Sequence, residues 1–192
     1  MPRLSDAARA ERRDAIVASA TELFARRGYH ATSMSEIIEH TRFSAGSIYQ
    51  YFGSKDALIV ATAQAALDGI ESRVLQLAQA RPVPDLRTFL ARVTEALPRD
   101  VEGALRANLI LHSWAEAGSN EALAGLVRGR YRAMMSAVHP LVDVWQGRGE
   151  LDPTLSRDEA ARLLLAIVQG TVVQSALLQG AGVGGASVSA DA

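Results

Sequence analysis

The 192-residue sequence has no cysteine, which excludes disulfides, thiolate metal sites and cysteine nucleophiles and points to a reducing compartment. Lysine is nearly as scarce: Lys55 is the only one, and the remaining permanent cations are arginines. Aromatic residues make up 5% of the chain and prolines number six. No stretch alternates β-branched with polar residues, so strands have little support. No apolar run reaches the length of a membrane span, and the N-terminal segment Met-Pro-Arg-Leu-Ser-Asp lacks the apolar core of a secretion signal. No membrane association and a cytoplasmic location are therefore expected. The four histidines, His30, His40, His112 and His139, are scattered. No triad, metal-ligand cluster or phosphate loop assembles around them, so neither an enzyme nor a cofactor is expected.

What remains is 48% hydrophobic and 21% charged, with a mean hydropathy of +0.06 and a net charge of −1, the proportions of an ordinary globular protein. The length suits one large domain or two small ones and is short for a barrel or a dinucleotide-binding enzyme. Alanine and leucine dominate, which favours helix throughout. An all-α protein of about nine helices is expected.

The apolar stripe Ile16, Val17, Ala20, Leu23 and Phe24 predicts a first helix from about Ala8 to Arg27, stopped by Gly28. Ser33 and Glu36 form a capping box that opens a short second helix ending near His40. Ser44 caps a short third helix through Gln50, stopped by Gly53, and Ser54 caps a longer one from Lys55 towards Leu77. Arg81-Pro82-Val83-Pro84-Asp85 breaks the pattern. Beyond it a helix from Leu86 is ended by Pro98, another through Leu105, Leu109 and His112 stops at Gly118, and Asn120 caps a third in which Pro140 should cause a kink or break. Ser156 and Glu159 form a second capping box, opening a helix from about Arg157 to Leu178 that is apolar on most sides. The Gly-rich end, residues 180–192, is expected to be disordered.

Two short capped helices separated by Thr41-Arg42-Phe43, after a longer amphipathic helix, have the layout of a helix-turn-helix. Small residues at Ala45, Gly46 and Ser47 let the third helix approach a groove, and its free amides favour phosphate. Tyr49, Gln50 and Tyr51 supply longer contacts. On spacing alone, a plain helical hairpin with Tyr49 and Tyr51 in its core fits equally well. Residues 1–55 carry eight basic against six acidic side chains, a small excess that agrees with DNA binding at this end.

These residues resemble a family. Ile16, Ala20, Leu23-Phe24, Gly28-Tyr29, Ala31-Thr32-Ser33, Ile37, the run Ser44 to Phe52 and Ser54-Lys55-Asp56-Ala57-Leu58 are similar to the DNA-binding domain of the tetracycline-repressor (TetR) family of bacterial transcriptional regulators. The resemblance implies a three-helix DNA-binding domain over 9–66, with its motif at about 33–52, and a helical ligand-binding and dimerisation domain over 67–179. It implies phosphate contacts from Thr32, Ser33, Tyr49 and Lys55, and a recognition helix lined by Ser44, Ala45, Gly46, Ser47 and Gln50, with Gln50 the first candidate for base readout. Two positions depart from the family pattern. Arg42 stands where glycine is common, so it must adopt a left-handed conformation or the turn must differ, and Ala45 stands where a basic residue is frequent. Arg42 reads as a solvated turn residue, with a phosphate contact that compensates for Ala45 as the alternative.

In the C-terminal half the resemblance is general: Trp114-Ala115-Glu116-Ala117, the Gly149-Glu150-Leu151 turn and the helix from Ala160 to Leu178 look like common family features. The implied function is a homodimeric repressor of an inverted-repeat DNA operator, released by a small apolar or amphipathic effector; an activator or a ligand-independent DNA-binding module is the alternative. Candidate effector-binding residues are Phe89, Val93, Leu105, Leu109, His112, Tyr131, Met134 and Met135, although core packing explains each of them as well. His112 and Glu116, four apart on one face, either orient a polar ligand group or pair with each other, and the pairing is the expected reading. Ala160, Leu163, Leu164, Ile167, Val168, Gly170, Thr171 and Ser175 are the expected dimer interface.

Overall fold

A computed structural model describes residues 5–95 and 101–180, with the side chains of Val101, Gln179 and Gly180 outside the description. The described residues form eight α-helices and no strand: α1 (Asp6–Arg27), α2 (Met34–Thr41), α3 (Ala45–Tyr51), α4 (Lys55–Gln79), α5 (Leu86–Thr94), α6 (Val101–Glu116), α7 (Glu121–Gly147) and α8 (Arg157–Gly180). The expected nine become eight because α7 runs through Pro140 without a break. A proline removes one hydrogen-bond donor, which a helix of 27 residues tolerates. Helix α5 ends at Thr94, capped by Glu95, rather than at Pro98, which lies outside the described residues together with the Gly-rich tail.

The helix starts follow from their caps. Ser5 accepts from the Ala8 amide and opens α1 two residues ahead of the expected start. Ser33, Ser44, Ser54, Asp85 and Asn120 each accept the backbone amide three residues on. The capping box of α2 is complete: the Glu36 amide donates to Ser33 Oγ and the Ser33 amide to Glu36 Oε2. Ser156 and Glu159 repeat it at α8.

The chain divides into two compact units. One comprises the residues up to Leu67 together with Asn108–Val127. The other comprises Asp68–Ala107 and the residues from Arg128 onwards. In the first, Ile16, Ala20 and Phe24 of α1, Ile37 of α2, Ile48 of α3 and Leu58 of α4 are buried. Apolar burial of this extent stabilises each of the larger side chains by about 1.5–3 kcal/mol.

In the second unit Phe89 meets Trp145 edge to face at 5.0 Å, and the indole N–H donates to the Pro84 carbonyl. Gly149 takes a φ of 72°, and Glu150 beyond it accepts the Leu86 amide at 2.6 Å, tying the α7 end to the α5 start. Arg130 of α7 pairs with Asp68 at 2.6 Å and with Glu71 on α4. Helix α8 buries Ala160, Ala161, Leu164, Leu165, Val168 and Val172 and exposes its other face. By length and composition its Arg157–Leu178 segment is apolar enough to cross a membrane, which corrects the expectation that no run approaches that length. Buried and exposed sides alternate along it at helical spacing, as in a packed helix of a helical domain.

Candidate nucleic-acid interface

Helix α3 has seven residues, and only Ile48 is buried. With Phe52 just beyond the helix, also buried and covered by the Arg13 guanidinium 5.5 Å above its ring, Ile48 anchors α3 and leaves its other faces free. Ser44, Ala45, Gly46, Tyr49 and Gln50 are exposed, and Ser47, Tyr51 and Lys55 are half-buried. Tyr49 is 49% exposed, which removes the core-packing reading of that ring. A Cβ placed on Gly46 would meet nothing within 4 Å, so packing inside the chain does not require a glycine there. The expected recognition residues thus share a short helix whose outward face carries small and polar uncharged groups.

Thr32 and Ser33 precede α2 differently from each other. Thr32 is fully buried and its hydroxyl donates to the Gly28 carbonyl at 2.9 Å, so any phosphate contact there falls to its backbone. Ser33 is exposed, and its hydroxyl donates to Glu36 at 2.9 Å. The hydrogen bonds from Ser33, with Arg27 at 2.7 Å, hold the Glu36 carboxyl below the usual carboxylate range. Between the two helices Arg42 adopts φ 58°, ψ 10°, the left-handed conformation anticipated if the turn keeps its usual form.

The α1–α2 turn meets α6. Gly28 takes a φ of 82°, which calls for glycine, and it faces the His112 imidazole, whose Cε1 would lie in ordinary contact, 3.4 Å, from a Cβ. Tyr29 and Ser113 Oγ are 2.8 Å apart. Because Ser113 gives its single proton to the Leu109 carbonyl, Tyr29 is the donor. Burial pushes the Tyr29 hydroxyl pKa up, and burial pushes that of His112 down, favouring the neutral imidazole. Glu116 pairs with His30 at 2.7 Å and not with His112, which corrects the expected i, i+4 pair. A surface cleft of about 320 Å³ opens here, lined by Tyr29, His30, His112, Glu116 and Ser119 among others.

The candidate effector residues do not all fall together. Leu109 and His112 belong to the first unit; Phe89, Val93, Leu105, Tyr131, Met134 and Met135 belong to the second. Phe89 and Val93 are buried core residues, whereas Leu105, Tyr131, Met134 and Met135 are half-buried. Of the candidate interface residues, Ala160, Leu164 and Val168 are buried within the chain, Leu163 and Ile167 are exposed, and Gly170, Thr171 and Ser175 lie between. Leu177 and Leu178, 67% and 76% exposed, were absent from the expected set although helical spacing puts Leu177 in line with Leu163 and Ile167. The Tyr29–Ser113 and His30–Glu116 contacts link residues more than 80 positions apart in the sequence, which no local pattern signals.

An all-helical chain that presents a short, capped, outward-facing helix after a helix and a tight turn defines a helix-turn-helix DNA-binding regulator. Residues 16–62 match the model of "Bacterial regulatory proteins, tetR family", and residues 85–189 match "BetI-type transcriptional repressor, C-terminal". The chain belongs to the TetR family of transcriptional regulators, DNA-binding proteins and not enzymes. It is similar to the regulator UidR of Escherichia coli (strain K12), 26% identical over 161 residues that cover 83% of this chain and 79% of UidR. It is 41% identical to the regulator HbdR of Aromatoleum sp. (strain CIB) over 64 residues, 33% of this chain and 28% of HbdR. Among solved structures, Salmonella enterica GusR matches with a TM-score of 0.71 and 26% identity, over 93% of this chain and 91% of GusR.

Proposed function

We propose that the chain acts in the bacterial cytoplasm as a homodimer that represses transcription from an inverted-repeat operator and leaves it when a small apolar or amphipathic effector binds the second unit. The observation that carries this reading is the exposed apolar stripe of α8. Leu163, Ile167 and Leu177 are 55%, 49% and 67% exposed on one helical side, with Gly170 between them. Large apolar groups aligned this way mark a surface to be covered, and a second copy with the same stripe covers it about a two-fold axis. Two copies then offer two α3 helices to two half-sites. Thr32, Ser33, Tyr49 and Lys55 set the register on phosphates, Ser44, Ala45, Gly46 and Ser47 allow close approach, and Gln50 reads a base edge.

The repressor sense agrees with the BetI-type match over the C-terminal half. Half-buried Tyr131, Met134 and Met135 suit an apolar effector, because thioether and aromatic groups repack around varied shapes. Release requires only that the effector bind the DNA-incompetent state more tightly. Duplexes enriched by the protein from random DNA, placed over a promoter in a purified transcription assay, test the sign. Transcript should fall when protein is added, and a rise would replace repression with activation.

A further inference from the structure

We propose that Arg42 contacts DNA phosphate and that, with Lys55, it brackets α3 with the positive charge this helix lacks; the inference rests on the reading that the exposed face of α3 meets duplex DNA. From Ser33 to Ser54 the sequence holds one arginine, no lysine and two carboxylates, Glu36 and Glu39. His40, the other basic group, lies 3.4 Å from Glu22. Neutralising a polyanion needs cations whose charge is not already matched inside the protein.

Three of the six described arginines of this unit are matched. Arg26 pairs with Glu22 at 3.2 Å, Arg27 with Glu36 at 2.7 Å, and Arg13 approaches Asp14 at 3.6 Å while covering Phe52. Among the described residues of the unit, Arg9, Arg12, Arg42 and Lys55 have no carboxylate partner. Arg9 and Arg12 lie on α1. Arg42 and Lys55 stand at the two ends of the recognition helix: only Phe43 separates Arg42 from the cap Ser44, and Lys55 opens the helix that follows α3.

The backbone gives a second, independent observation. Arg42 is the one non-glycine residue at positive φ among those described. A side chain in this conformation crowds its own backbone, whereas glycine does not. The Arg42 side chain is exposed and, among the described residues, makes no hydrogen bond or ion pair that would offset the crowding. Backbone strain kept without an internal return points to a use outside the fold. A guanidinium, with its planar set of donors, is suited to grip phosphate oxygens in pairs.

The test is the salt dependence of binding to a random-sequence duplex, which counts phosphate contacts without knowledge of the operator. Arg42→Gly should melt at or above the wild-type temperature yet bind more weakly, by about fivefold per protomer at about 0.15 M salt. Its log–log salt slope should be shallower by about 0.9 per protomer, and Arg42→Lys should keep the wild-type slope. Stability and binding then move in opposite senses, which misfolding cannot imitate. Wild-type protein that binds while Arg42→Gly shows an unchanged slope overturns the role of Arg42 alone. Wild-type protein that fails to bind duplex even at low salt overturns the DNA-facing reading of α3 as well.

Discussion

His112 and Tyr29 show how single residues fix the junction between the α1–α2 turn and α6. Burial lowers the His112 pKa below its ordinary 6.5, so the folded state favours the neutral ring. The unfolded chain therefore takes up the proton first as pH falls. The stability contributed by the neutral ring is complete above about pH 6.5 and is lost as pH drops through the lower folded value. Melting temperature should decline in that window, and His112→Gln should flatten the decline; an identical profile in the variant contradicts the assignment. The carboxyl groups of Glu36, Asp85, Asp152 and Glu159, all lowered by hydrogen bonds from neighbouring hydroxyls and amides, act in a separate and more acidic window. Tyr29→Phe removes the donor to Ser113 without a large change in volume. It should cost about 1 kcal/mol, or about 2–4 °C in melting temperature, by calorimetry. Little of this junction was legible in the sequence. Gly28 was legible as a helix stop and Gly28-Tyr29 as part of the family resemblance, but Ser113 lies 84 positions away, and the apparent His112–Glu116 pair lost Glu116 to His30.

At the scale of elements the sequence was far more informative, because caps are local. Ser33 with Glu36, Ser44, Ser54, and Ser156 with Glu159 all begin helices where their chemistry places them. Ser156→Ala should remove about 1 kcal/mol by freeing the amide of Glu159, seen as a lower melting temperature with unchanged helix content. A neutral outcome would mean that packing alone starts α8. Where the sequence misled, the deciding forces were tertiary. Pro140 suggested a kink or a break; of the two the break does not occur, since α7 continues through it while Val138, Leu141 and Val142 around it are buried. Helix α3 is too short to be stable by itself. It stands because Ile48 and Phe52 are buried, and so few anchors leave its other faces exposed.

For the whole molecule, periodicity could not say which side of α8 faces inward, since both sides are apolar. The expected interface accordingly mixed Ala160, Leu164 and Val168, which are buried in the chain, with Leu163 and Ile167, which are exposed. Placing charge on the exposed stripe with Leu163→Glu and Ile167→Glu should halve the sedimenting mass while retaining helix content. Binding to a symmetric site should then fall to the level of a half-site. The association of Asn108–Val127 with the N-terminal helices was likewise beyond local pattern, because it depends on contacts between distant segments.

Two copies of α3, paired through α8, should read one symmetric site. The number of chains bound to a duplex enriched from random DNA, measured by sedimentation, tests it most directly. Two chains on an inverted repeat, with markedly weaker binding to either half alone, is the predicted result. One chain per duplex, or equal affinity for symmetric and asymmetric sequences, would contradict it.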